Sequence, residues 1–262
     1  GSTAVGKSIV QRSSATLPRL SLELGGKAPN IVFEDANIES CIEANLRGGF
    51  FNQGENCTAV TRLIVHKKIY KEFKKKFVKK ISKIVQGNPT SKKTEIGALV
   101  SKSHFDKVLK YVEAGIEDGG KILLGGEPNK RLKGYYFLPT LIEINSRENI
   151  LFKEEVFGPV VAIIPFEDEK EAISLANDTN YGLAGGIWTQ DISRAIRVSK
   201  QIDAGYLWIN TYGGIIPETT YGGFKESGIG KELGLEGLNE YLRVKNISIF
   251  TGKSLPKWYG DK

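Results

Sequence analysis

Cys57 is the residue best suited to covalent chemistry. It sits in the polar stretch Phe51-Asn52-Gln53-Gly54-Glu55-Asn56-Cys57-Thr58-Ala59. An apolar helical pattern runs into that stretch from Ile38, and the alternating run Arg62-Leu63-Ile64-Val65 leaves it like a strand. A thiol on a short turn at the end of a sheet can be partly exposed. Nearby amides can lower its pKa, as a nucleophilic cysteine requires. The competing reading is a small buried apolar residue. Cys41, inside the helical pattern, reads as structural in that way.

A second stretch suggests different chemistry. Gly1-Ser2-Thr3-Ala4-Val5-Gly6-Lys7-Ser8 fits the phosphate-loop pattern at every fixed position. Asn30-Ile31-Val32-Phe33-Glu34-Asp35 imitates the strand-borne acid that would hold a magnesium ion. Such a loop must turn directly from a strand into a helix, so that its amides face the phosphates. The sequence carries no strand ahead of Gly1, which makes a nucleoside-triphosphatase the runner-up.

The elements that must position these residues follow from periodicity. The chain has 262 residues and is 40% hydrophobic, enough for one large α/β domain with appendages. Helical patterns cover about 5–14, 38–51, 69–84, 101–118, 168–177, 191–201 and 232–241. Strand patterns cover about 20–24, 30–33, 62–65, 121–124, 136–143, 160–164, 183–188, 206–210 and 243–250. The continuous apolar run from Val160 to Ile164, β-branched except at Ala162, is that of a strand buried on both faces. This alternation predicts an α/β fold with a largely parallel sheet.

Charge and composition narrow the function. The net charge of +7 invites a nucleic-acid reading. Residues 67–83, however, carry nine lysines and one glutamate, and the other residues together sum to −1. The lysines fill one face of a helix whose other face carries Ile69, Phe73, Phe77 and Ile81, so no nucleic-acid partner is expected. Two histidines and two cysteines without ligand spacing give no metal site. The apolar run from Val160 to Phe166 is too short to span a bilayer, and no signal-peptide pattern opens the chain. The sparse cysteines suit a reducing compartment, so a cytoplasmic location is expected.

Together with Cys57, several stretches resemble the aldehyde dehydrogenase superfamily. The front turn Gly1 to Gly6 is similar to its G-S-T-x-x-G. Leu22-Glu23-Leu24-Gly25-Gly26-Lys27 is similar to its glutamate signature, and Phe51 to Thr61 to its cysteine signature. Glu155-Val156-Phe157-Gly158-Pro159 resembles its cofactor motif. Gly222-Gly223-Phe224-Lys225-Glu226-Ser227-Gly228-Ile229-Gly230 resembles its closing motif. Within the superfamily, the Cys57 signature and the tail look most like the betaine-aldehyde and aminoaldehyde dehydrogenases.

The resemblance implies oxidation of an aldehyde to an acid through a cysteine thiohemiacetal and thioester, with hydride transfer to NAD, NADP being possible. It makes Cys57 the nucleophile and Glu23 the general base. Glu155 would hold the ribose next to the nicotinamide, and Phe157 would pack near that ring. The Leu24 main chain would meet the carboxamide, and Ser2 would lie by the pyrophosphate. Tyr212, Ile215 and Tyr221 would line the aldehyde tunnel.

It also implies a domain plan. Residues 1–24 would be a remnant of the Rossmann-like cofactor domain, 25–226 the catalytic domain, and 227–262 a tail with an oligomerisation strand at 243–250. The resemblance covers only the C-terminal half of the family's usual length. The chain is therefore expected to be a fragment of a homo-oligomeric (dimeric or tetrameric) parent and inactive alone. The alternative is a non-catalytic relic or subunit that keeps a reactive thiol.

Overall fold

The architecture follows the predicted alternation closely. The computed structural model describes residues 1–254. Its elements begin with α1 (Thr3–Ser13), β1 (Leu22–Glu23), β2 (Ala28–Val32), α2 (Ile38–Phe50), β3 (Val60–His66) and α3 (Lys67–Ile81). Then come α4 (Lys102–Glu117), β4 (Lys121–Leu124), β5 (Thr140–Glu143), α5 (Ile150–Lys153), β6 (Val160–Phe166) and α6 (Glu169–Asn177). The remainder is β7 (Tyr181–Gly182), β8 (Ala184–Trp188), α7 (Ile192–Ser199), β9 (Tyr206–Ile209), β10 (Phe224–Lys225), β11 (Gly228–Ile229) and α8 (Gly234–Glu240).

Seven strands form one sheet in the order β4-β5-β6-β3-β2-β8-β9. Only the edge strand β4 runs antiparallel to its neighbour. The central strands are buried and mostly apolar because both faces are covered, and each face has its own core. On one side α3 inserts Phe73, Phe77 and Ile81. Its outward lysines pair in part with neighbouring acids, as Lys74 does with Glu143 and Lys76 with Glu39 and Glu72. The lysine-rich segment is thus the solvated face of a packed helix, as its periodicity predicts. Side-chain caps fix where helices start: Asn37 accepts from Ser40 N–H, Ser101 from His104 N–H, and Asp168 from Glu171 N–H.

Two expectations fail. The phosphate-loop residues form no loop, because α1 is already helical from Thr3 and the Gly6 amide donates to the Ser2 carbonyl. Lys7, in the second turn of α1, pairs with Glu226 at 2.8 Å. Asp35 is tied to Thr189, Gln190, Asp191 and Arg194 at the far end of the sheet. The strand expected at 243–250 also forms no ladder among the described residues. Val244, Ile247, Ile249 and Phe250 are exposed. An alternating apolar pattern marks a segment fit for an edge, but here it pairs with neither edge strand of the sheet, β4 or β9.

Under the sheet's amino end lies a buried cation pair. Arg62 on β3 donates to the carbonyls of Lys27, Leu175 and Ala176 at 2.8–3.0 Å. Burial, with Arg62 beside it, lowers the Lys27 ammonium to about 7. An unfolded lysine keeps its proton to about pH 10.4. Between those values the unfolded chain binds a proton that the folded chain does not, so this group's contribution to stability grows as pH rises from about 7. A Lys27→Met variant should therefore melt above the wild type at pH 6, with the gap closing toward pH 10. A gap that stays constant across that range would contradict the burial of a titrating amine here.

Candidate active site

The predicted residues gather at the amino ends of the parallel strands. Gly25 and Gly26 lead into β2, Cys57 and Thr58 into β3, and Glu155 and Phe157 into β6. The glycine pair is where they meet. A Cβ on Gly26 would lie 2.2 Å from the Cys57 carbonyl oxygen, and one on Gly25 would lie 2.5 Å from a Glu155 carboxylate oxygen. The Gly26 amide donates to that carboxylate at 2.8 Å. Main chain can approach this closely only where no side chain intervenes.

The cysteine turn is built by its neighbours. Asn52, Gln53 and Gly54 take left-handed backbone angles in succession, with φ of 51°, 58° and 72°. They reverse the chain after α2. Asn56 Oδ1 then accepts from Thr58 N–H at 3.2 Å, and Ala59 N–H closes the turn onto the Asn56 carbonyl. The Cys57 amide donates to no carbonyl among the described residues. Its sulfur is half-buried, 3.8 Å from the Tyr221 hydroxyl and 3.9 Å from Asn56 Oδ1. Cys41 is fully buried, with Asn45 donating to its sulfur, as a structural thiol would be.

The electrostatics reverse one expectation. The Cys57 thiol is pushed up, first by burial and then by the charges of Glu23 and Glu155, against the Tyr221 hydrogen bond. The turn does not lower the thiol as expected; it buries the sulfur where the charges of two carboxylates still reach it. Glu23 is itself raised, by burial and by the like charge of Glu232, with Lys231 opposing. One of its oxygens, Oε2, is buried and has no partner among the described residues. Burial also raises Glu155.

The tail holds Glu23 in place. β1 pairs antiparallel with β11, setting Glu23 opposite Gly228. The Ser227 carbonyl accepts from Leu24 N–H, and its hydroxyl joins the Gly25 carbonyl to the Gly182 amide at 2.6 and 2.9 Å. The Leu24 side chain in turn packs on Gly6 of α1. Ser2 caps α1, and together with Thr3, Lys7, Lys107, Glu155 and Glu226 it lines one cavity of about 680 Å³. Leu24 and Phe157 lie outside that lining.

Of the expected tunnel residues, Tyr212 and Tyr221 are buried beside the cysteine turn, and Tyr212 donates to the Thr58 carbonyl at 2.7 Å. Ile215 is on an exposed loop and is not brought to the sulfur. Sequence reasoning missed Glu232, Lys107 and His104. His104 Nε2 lies 2.6 Å from the Phe157 carbonyl and 3.5 Å from Glu55, joining the cofactor-motif loop to the cysteine turn. None of these three carries a local signal, because each matters only through a partner distant in sequence. No group of metal-ligating side chains occurs among the described residues, and no helix there is long and apolar enough to cross a membrane.

Comparison with known proteins identifies the family. Residues 1–247 match the profile of the aldehyde dehydrogenase family. The chain belongs to that family. An aldehyde dehydrogenase of Vibrio cholerae serotype O1 is 44% identical over 259 residues, covering 95% of this chain and 51% of the relative. A crystal structure of betaine aldehyde dehydrogenase from Staphylococcus aureus, in complex with NAD+, superposes with a TM-score of 0.96 at 39% identity. It covers 100% of this chain and 52% of that one. This aldehyde dehydrogenase chain thus spans about half the length of the relatives it matches.

Two outcomes would test the site. Gly26→Ala forces a methyl group onto the Cys57 carbonyl, and overpacking of this kind costs roughly 1–3 kcal/mol. Its unfolding midpoint in urea should drop accordingly, and an unchanged midpoint would show that the contact is not tight. Glu23→Gln removes one of the charges that raise the thiol. Alkylation of Cys57 by iodoacetamide near neutral pH should therefore become faster than in the wild type, and a slower reaction would contradict this placement of Glu23.

Proposed function

We propose that the protein carrying this chain oxidises a small aldehyde to its carboxylic acid, with Cys57 as nucleophile and Glu23 as base. The observation that carries this reading is the half-buried Cys57 sulfur set within reach of the charge of Glu23, a raised carboxylate with one buried oxygen left without a partner. A carboxylate in such a place is suited to take a proton from water.

The steps follow from the residues. The Cys57 thiolate attacks the aldehyde carbon, forming the S–C bond while the carbonyl electron pair moves to oxygen. The Cys57 amide, which donates to no backbone carbonyl among the described residues, can donate to that oxyanion. The thiohemiacetal carbon then gives up a hydride, and its oxygen re-forms the carbonyl of a thioester. Glu23 takes a proton from water as the water oxygen attacks the thioester, and collapse expels the Cys57 thiolate and releases the acid.

A nicotinamide dinucleotide, NAD by preference with NADP possible, supplies the hydride acceptor when bound. The residues present suit one. The α1 N-terminus, with Ser2 at its cap, favours a pyrophosphate. The Glu155 carboxylate shares its cavity and can accept from ribose hydroxyls. Phe157 and the Leu24 main chain are assigned to the nicotinamide end. On this reading residues 1–24 belong to a cofactor domain and 25–226 to the catalytic domain. The exposed apolar tail at 243–250 would pair with an edge outside this chain, as in a homo-oligomer.

The test is NAD-dependent oxidation of an aldehyde panel, including betaine aldehyde and propanal, by the intact protein. Cys57→Ala should abolish turnover, and Glu23→Gln should lower kcat by about 10²–10⁴-fold, the usual worth of general-base catalysis. Turnover that survives Cys57→Ala would overturn the mechanism.

A further inference from the structure

Two side chains reach the Cys57 sulfur, and they differ in what they can offer it. Asn56 presents Oδ1, an acceptor already engaged by the Thr58 amide and hydroxyl. An amide oxygen only accepts, so in this orientation Asn56 offers a thiolate no donor. Tyr221 presents a hydroxyl at 3.8 Å, within the reach of a hydrogen bond to sulfur. We propose that the Tyr221 hydroxyl is a catalytic hydrogen-bond donor to Cys57, stabilising the thiolate that attacks the substrate, rather than part of an inert tunnel wall. The inference rests on the reading of Cys57 as nucleophile and extends it.

Three observations support this role. First, the hydroxyl has no competing partner. The sulfur is the one group it meets among the described residues, whereas the neighbouring Tyr212 hydroxyl is spent on the Thr58 carbonyl. A buried phenol with one partner must use it. Second, Tyr221 is held firmly. Its main chain exchanges two 2.7 Å hydrogen bonds with Glu232, and its ring packs 5.9 Å from that of Tyr206. Third, burial and the charges of Cys57 and Glu23 drive its own ionisation far above the ordinary tyrosine range. It therefore keeps its proton when the sulfur loses one.

The direction of the hydrogen bond then follows. With a neutral thiol either atom can donate. With a thiolate only the phenol can, and the bond gains the strength of a charged acceptor. Donation therefore favours the ionised sulfur, against burial and two carboxylates that oppose it. Once sulfur is bonded to carbon it carries no charge, and this stabilisation is relinquished as attack proceeds. No proton leaves Tyr221 at any stage.

The experiment is the pH dependence of iodoacetamide alkylation of Cys57 in the purified protein, for wild type and Tyr221→Phe, with thermal melts of both. The variant should alkylate roughly ten- to a hundredfold more slowly near neutral pH, about what one hydrogen bond to a charged acceptor is worth. Its rate–pH profile should be displaced to higher pH. Tyr221→Leu, which removes the hydroxyl and the ring together, should behave alike, and Tyr206→Phe should match the wild type. A purely structural role would lower the melting temperature and leave the profile unmoved. Identical profiles in wild type and Tyr221→Phe would overturn the proposal and leave Cys57 as nucleophile. A wild-type Cys57 no more reactive than the buried Cys41 would instead remove the nucleophile, and the inference with it.

Discussion

Everything at this site depends on the contact between Gly26 and the carbonyl of Cys57. The two residues approach the amino ends of adjacent parallel strands, whose register pairs Ala28 with Val60. That register brings the two turns level, and the missing Cβ lets them touch. Arg62 then ties the β2 side down by donating to the Lys27 carbonyl. The Gly26 amide, left facing outward, binds Glu155. A single glycine thus sets the spacing between the thiol and one carboxylate, and its neighbour Gly25 carries the strand that holds the other.

The chemistry explains why such crowding is tolerated. On the proposed mechanism, thioester hydrolysis wants a desolvated base, and recognition of ribose hydroxyls wants a carboxylate. Both negative charges disfavour the thiolate needed first. The site therefore rests with its sulfur protonated, a form less open to adventitious oxidation. The location is also unusual. Open α/β sheets tend to bind ligands beyond their carboxyl ends. Here those ends carry a closed polar network of Asp35, Thr189, Asn210 and Arg194, and the reactive groups occupy the opposite rim.

Much of this was legible in the residues. The apolar run at Val160–Ile164 became a strand buried on both faces but for the proline that follows it. The spacing of Phe73, Phe77 and Ile81 became the buried side of α3. Cys57 stood out on a polar turn between a helix pattern and a strand pattern, and the family resemblance is what singled it out as the candidate nucleophile. What escaped is what depends on distant partners. Burial within reach of the charges of Glu23 and Glu155, which raises the thiol instead of lowering it, is a property of three segments at once. So is the aim of the Tyr221 hydroxyl. The apolar alternation at 243–250 encodes readiness to pair and says nothing of where the partner lies. The phosphate-loop match failed because a pattern of residue types does not specify backbone conformation, and α1 starts too early.

The pairing of β1 with β11 joins residues more than 200 positions apart. Contacts of such long range form late, since the intervening chain must be closed first. The thiol turn and its strand, by contrast, need only the first third of the chain and the β6 segment. As the polypeptide leaves the ribosome, the sulfur can be in position well before Ser227 and Gly228 arrive to fix the glutamate beside it. On the proposed mechanism, the nucleophile is positioned first and the base last, so that a half-finished chain would capture an aldehyde and be unable to let it go.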